Sequence, residues 1–102
     1  MTNDDAWVWE LRHEETLLGV LTEVERDMFW ASCDFAATPD FEPYRALFDT
    51  FNAVEPGSEE WGRAYEAIHQ QNLILIRKDD ELRVREFILY IDGSTAGLRP
   101  VL

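Results

Sequence analysis

The stretch DMFWASCDF (residues 27–35) decides how the first third of the chain is read. A β-strand sends alternate side chains to opposite faces, so Phe29, Ala31, Cys33 and Phe35 share one face and Met28, Trp30, Ser32 and Asp34 the other. A buried inner face accounts for the first set. It leaves an indole, Trp30, on the side where water is expected.

The neighbouring segments extend this pattern. AWVWELRH (6–13) groups Trp7, Trp9, Leu11 and His13 against Val8, Glu10 and Arg12. TLLGVLTEVE (16–25) groups Leu18, Val20, Thr22 and Val24 against Leu17, Gly19, Leu21, Glu23 and Glu25. Hairpin tips at Glu14–Glu15 and Arg26–Asp27 place Trp9 near Val20, Val20 near Cys33 and Val24 near Phe29, so the three apolar faces coincide. The expected result is a three-stranded antiparallel meander. Its outer face sets Trp30 opposite Glu23, Met28 opposite Glu25 and Leu21 opposite Ser32, with Val8 adjacent.

Beyond Ala37 the period becomes helical. In residues 38–54, Phe41, Tyr44, Leu47, Phe48 and Phe51 fall on one stripe behind Pro43 and several acids, with Asp40 or Thr38 as the cap. EPGS (55–58) is a turn, and Ser58 opens a second helix with the stripe Trp61, Ala64, Tyr65 and Ile68. Strands follow at Leu73–Lys78 and Leu82–Asp92, then a turn at Asp92-Gly93-Ser94 and a last strand around Ala96–Arg99. FILYI (87–91) is apolar on both parities, which predicts a central strand covered on both sides. The expected fold is one α+β domain over residues 1–102, an antiparallel sheet of five to six strands in the order βββααβββ, with two helices on one face.

The chain has 102 residues, 21 acidic and 9 basic side chains and a net charge of −12. Residues 1–66 hold 16 acidic and 4 basic groups, whereas residues 67–102 hold 5 of each, so the charge belongs to the first two thirds. Such a surface opposes binding to nucleic acid or to an anionic membrane. Met1–Asp5 is polar and acidic, unlike a secretory signal, and a cytoplasmic protein is expected. The single cysteine, Cys33, points inward and reads as a core residue.

D-M-F-W (27–30), F-A-A-T-P-D-F (35–41), A-L-F (46–48) and F-I-L-Y-I-D-G (87–93) resemble the pattern of a group of small uncharacterised bacterial proteins with no activity attached. That group carries proline where this chain has Phe29, which implies a wider connection around Asp27–Phe29 than a tight hairpin. The resemblance supports one domain and adds no chemistry.

No residue pattern marks a catalytic centre, a cofactor or a metal site. Glu66 and His69 match Glu-x-x-His once, without the second copy that a metal would need. Asp92 precedes Gly93 and reads as a turn residue. Arg77, Lys78, Arg83 and Arg85 flank one hairpin tip, with Lys78, Arg83 and Arg85 on the face of Ile74 and Ile76. The pattern points to a non-enzymatic protein acting through protein–protein contact, as a homodimer or as a regulator or inhibitor of a basic partner. Trp30 would be its anchor, with Met28, Leu21 and Val8 as apolar support and Glu10, Glu23 and Glu25 as the charged rim. The alternative is a ligand-binding or enzymatic pocket between helices and sheet, using Tyr65, His69 and Asp92.

Overall fold

A computed structural model describes residues 7–101; residues 1–6, including the Met1–Asp5 segment read above, and Leu102 lie outside the described residues. The elements are β1 (Val8–His13), β2 (Thr16–Asp27), β3 (Trp30–Ala37), a 3-10 turn (Pro39–Phe41), α1 (Glu42–Ala53), α2 (Glu59–His69), β4 (Leu73–Arg77), β5 (Arg83–Val84), β6 (Phe87–Asp92) and β7 (Thr95–Pro100). All strand pairs are antiparallel, in one seven-stranded sheet ordered β5-β4-β1-β2-β3-β7-β6 and curled into a half-barrel. No helix among the described residues is long and apolar enough to cross a membrane.

The sheet has seven strands rather than five or six because the segment read as one strand, Leu82–Asp92, is broken. Its first part, β5, pairs with β4, while β6 pairs with β7 at the opposite edge. FILYI is therefore an edge strand, not a central one. Its doubled apolarity has another cause: Phe87, Leu89 and Ile91 enter the core, while Ile88 and Tyr90 are half-buried on the other parity. Asn52 of α1 donates its side-chain N–H to the carbonyl of Ile91, so α1 lies along this strand and satisfies an edge acceptor.

The larger departure lies in β2. The first hairpin turns at Glu14–Glu15 as expected, with His13 opposite Thr16 and Arg12 opposite Leu17. Leu18 is then an extra residue, and Leu11 pairs with Gly19 and Trp9 with Leu21. A one-residue slip reverses the facing of every side chain beyond it. Leu21 is thus fully buried at 0% exposure, and Val20, expected inside, pairs with Glu10 and is only half-buried. A second irregularity at Val24 restores the parity: Glu23 pairs with Cys33 but Glu25 with Ser32. The second hairpin turns at Met28–Phe29, with Asp27 opposite Trp30, two residues further along than Arg26–Asp27. The connection is tight, contrary to the wider one implied by the resemblance.

The buried face carries Trp9, Leu11, Leu21, Cys33, Phe35, Leu75 and Leu98 against Phe41, Phe48 and Phe51 of the helical region. Each large side chain so buried contributes about 1.5–3 kcal/mol. Phe35 meets Phe41 edge-on at 5.1 Å between centroids, and Phe41 meets Phe48 at 5.6 Å. The Phe35 ring occupies the space over Gly19, where a Cβ would stand 2.4 Å from Cε1. Glycine is required there by close approach. Neither Asp40 nor Thr38 caps α1. The Thr38 hydroxyl instead donates to the Leu17 carbonyl at 2.7 Å, tying the helix entry to β2. Ser58 caps α2 as expected, its Oγ accepting from the Trp61 amide at 3.1 Å.

Candidate functional site

The outer third of β2 and the start of β3 form an arm of the sheet, flanked on the β3 side by β7 from Ala31 onward. β1 pairs with β2 as far as Val8 opposite Thr22, and the amide of Glu23 donates to the carbonyl of Trp7 at 2.9 Å. Among the described residues, β2 has β3 as its only strand neighbour from Val24 onward. The arm's root is locked by polar groups on the inner face. The Trp9 indole N–H donates to Glu23 Oε2 at 2.8 Å, and Arg26 Nη2 donates to the same oxygen at 2.8 Å. Two guanidinium groups lie over the Trp7 ring, Arg77 at 4.0 Å and Arg26 at 4.8 Å from its centroid. Arg77 in turn forks onto Asp80, with Nη2 to Oδ2 at 2.7 Å, and this hydrogen bond holds the Asp80 carboxyl well below the usual carboxylate range.

Glu23 is therefore no part of an exposed rim. Its side chain is 8% exposed on the inner face, where the Trp9 N–H and Arg26 satisfy it. Leu21 likewise leaves the proposed contact surface for the core. Met28 and Glu25 are exposed on the arm, as expected, and Val8 and Glu10 lie on the outer face, both half-buried. Glu10 is engaged by Arg12 at 2.8 Å and by Lys78 at 3.8 Å.

The arm also carries residues that strand alternation assigned to the interior. Among the described residues the exposed large hydrophobic side chains are Val24 (67%), Met28 (79%), Phe29 (63%) and Val101 (52%). Three of these belong to the arm. β7 runs antiparallel to β3, so Val101, beyond its C-terminal end, lies at the same end of the sheet. Phe29 has the Arg99 guanidinium 5.3 Å from its ring centroid, and the exposed Glu25, Arg26 and Asp27 precede the turn in the chain. Met28 holds φ 57°, a left-handed conformation that strains a non-glycine residue by about 1 kcal/mol.

Trp30 points to the outer face, as its parity requires, and is half-buried. Its ring stacks on Tyr90 at 5.9 Å, and Tyr90 also stacks on Phe51, at 4.7 Å and 11° between planes. The Tyr90 hydroxyl accepts from the Trp61 indole N–H at 2.8 Å. The aromatic chain continues from Trp61 to Tyr65 (5.5 Å) and from Tyr65 to His69 (6.0 Å). Trp30 is therefore a wall beside the hairpin turn, held by its neighbours, rather than a free anchor.

Tyr65 and His69 line a crevice with Ile68, Leu73, Arg85 and Phe87 whose volume is about 10 Å³, the room of a single water. Asp92 lies elsewhere, lining an outer-face groove of about 450 Å³ with Tyr90 and Gly97. The three residues do not form one pocket. Lys78, Arg83 and Ile76 do share an open cleft, with Glu10, Arg12 and Glu81, whereas Arg85 is at the crevice. Burial, helped by the nearby Glu23 carboxylate, pushes the Cys33 thiol up to about 12, which leaves it protonated and unreactive at neutral pH. Among the described residues no three His, Cys, Asp or Glu side chains converge to hold a metal ion. Alternation missed Val24 and Phe29, because Val24 sits at the second irregularity of β2 and Phe29 in the turn, where strand parity does not apply. No family model, curated protein or solved structure matches this chain.

Proposed function

We propose that this chain is a non-enzymatic, cytoplasmic binding protein that docks a basic protein partner through the β2–β3 arm, with Phe29 and Met28 as anchors. The observation that carries this reading is the exposure of Val24, Met28 and Phe29 along one hairpin end of the sheet, with Glu25 and Asp27 interspersed with them in the chain. An apolar centre with a charged rim is the ordinary anatomy of a docking patch. The root of the arm is held by Glu23, Arg26 and Arg77, so little ordering is lost on binding. A net charge of −12 on each chain opposes self-association and favours a partner of opposite sign. The resemblance to small bacterial proteins belongs to this reading without adding an activity to it.

The test is affinity capture from a native extract with wild-type and Phe29→Ser baits, across a salt series. The expected result is a basic protein retained by the wild type, weakened by salt and lost with the variant, since removing such an anchor costs about 2 kcal/mol or more of binding. Capture that Phe29→Ser leaves unchanged, or a wild-type chain that is a salt-insensitive dimer, overturns the proposal.

A further inference from the structure

Two glycines lie inside strands of this sheet, and they differ. Gly19 is closed over by Phe35, as described above. At Gly97, in the middle of β7, an added Cβ would meet nothing within 4 Å. Its φ is not in the left-handed region, where Gly57 and Gly93 lie. Neither crowding nor backbone conformation calls for glycine at 97, and a glycine inside a strand weakens it. What the missing side chain leaves is the open groove of about 450 Å³ on the outer face, next to the arm, with Val24 of the arm as part of its lining.

The sheet register arranges the chemistry of that groove. Ser32, Gly97 and Tyr90 form one cross-strand row, and Asp34, Thr95 and Asp92 form the next. The floor over Gly97 is thus bare, the Tyr90 ring and Val24 make apolar sides, and two exposed carboxylates stand at one end. They are two strand spacings apart, about 10 Å. No basic residue lines the groove, and among the described residues neither Asp34 nor Asp92 is in an ion pair. The one basic residue of β7, Arg99, is drawn aside to Phe29.

We infer that the groove over Gly97 is a slot for a long cationic side chain, arginine or lysine, presented by the basic partner; this deepens the arm-docking reading and rests on it. The aliphatic stem lies on the glycine floor against Tyr90, and the charged head reaches Asp34 and Asp92, the division of labour that such side chains make at any boundary between apolar and polar surface. The slot and the arm's apolar tip are adjacent, so one segment of a partner engages both.

The test is an amide NMR titration of the full chain with N-acetyl-arginine amide, with N-acetyl-citrulline amide as the neutral isostere. Saturable shifts are expected at Ser32, Thr95 and Gly97, absent with citrulline. Affinity should fall about tenfold in Gly97→Val, which fills the slot, and roughly threefold in Asp34→Asn or Asp92→Asn, as for exposed charge pairs. Met28→Ser, which leaves Arg99 on Phe29, should leave the titration unchanged. If Gly97→Val disturbs the fold, Gly97→Ala and the two Asn variants carry the same comparison. Shifts that do not saturate, that citrulline reproduces, or that survive these variants overturn the slot. A partner lost with Phe29→Ser but kept with Gly97→Val removes the slot alone, whereas an intact titration beside capture indifferent to Phe29→Ser removes the arm reading. Self-association of the wild type abolished by Gly97→Val makes the occupant a second copy and overturns the basic partner.

Discussion

The loops Glu14–Glu15 and Met28–Phe29 each join two antiparallel strands with two residues, and each holds its first residue in the left-handed region, Glu14 at φ 56° and Met28 at φ 57°. The backbone demand is therefore the same. In the first loop it is met by charged, exposed residues, and Arg12 steadies the turn by donating to the Glu15 carbonyl at 3.0 Å. In the second it is met by two exposed apolar residues that neither relieve the turn nor enter the core. The first loop shows that this geometry does not need hydrophobic side chains. Those of the second loop then answer to something outside the monomer, and strain tolerated at such a position is a recurring property of binding sites.

The contrast depends first on the reversal of β2, and the largest effect tests that. Leu21→Ala should cost about 2–5 kcal/mol in denaturant unfolding, while Val24→Ala should change stability by less than about 0.5 kcal/mol. Equal costs would mean that the arm is packed like the rest of the strand. Next in size is the arm's root: Glu23→Ala leaves the buried Trp9 N–H without its acceptor and should cost about 1–3 kcal/mol, with Glu23→Gln milder because it keeps an acceptor. Glycine at the strained loop positions sharpens the comparison itself. Met28→Gly and Glu14→Gly each relieve the left-handed penalty but add freedom to the unfolded chain, so both should be neutral to about 1 kcal/mol more stable. Only Met28→Gly should weaken partner capture.

The smallest effect concerns pH. Asp80, held below its ordinary 3.8 by Arg77, contributes stability that is present above that pH and lost as pH falls through its lower folded value. The gap in melting temperature between wild type and Asp80→Asn should be constant above about pH 5 and close below it. Because Asp80 is exposed, solvent keeps this gap narrow. A gap that widens on acidification would place the carboxylate in a different environment from the one beside Arg77.

Much of the fold is legible along the chain because it repeats a local period. The stripe Trp61, Ala64, Tyr65, Ile68 and the Ser58 cap announce α2, and Asp92-Gly93 announces the last turn, with Gly93 at φ 62°. The facing of Leu21, Val20 and Glu23 is not legible, because one inserted residue at Leu18 inverts them and a second at Val24 restores the pattern. Alternation carries no record of an insertion made in one strand of a pair. The site suffers most, since its residues were chosen by face: Glu25 and Trp30 hold their expected side and Met28 is exposed in the turn, while Leu21 and Glu23 exchange roles with Val24 and Phe29.

From its residues alone, this chain is an acidic α+β unit with two helices, several strands and an indole at position 30 that faces outward. Composition and short-range period are properties of neighbours in the chain, and no partner strand is needed to read them. The break between β5 and β6, the insertion of β7 between β3 and β6, the arm and the open groove at Gly97 belong to the tertiary structure. Each depends on which strand lies alongside which and in what register, and that is settled by packing between residues far apart in the chain.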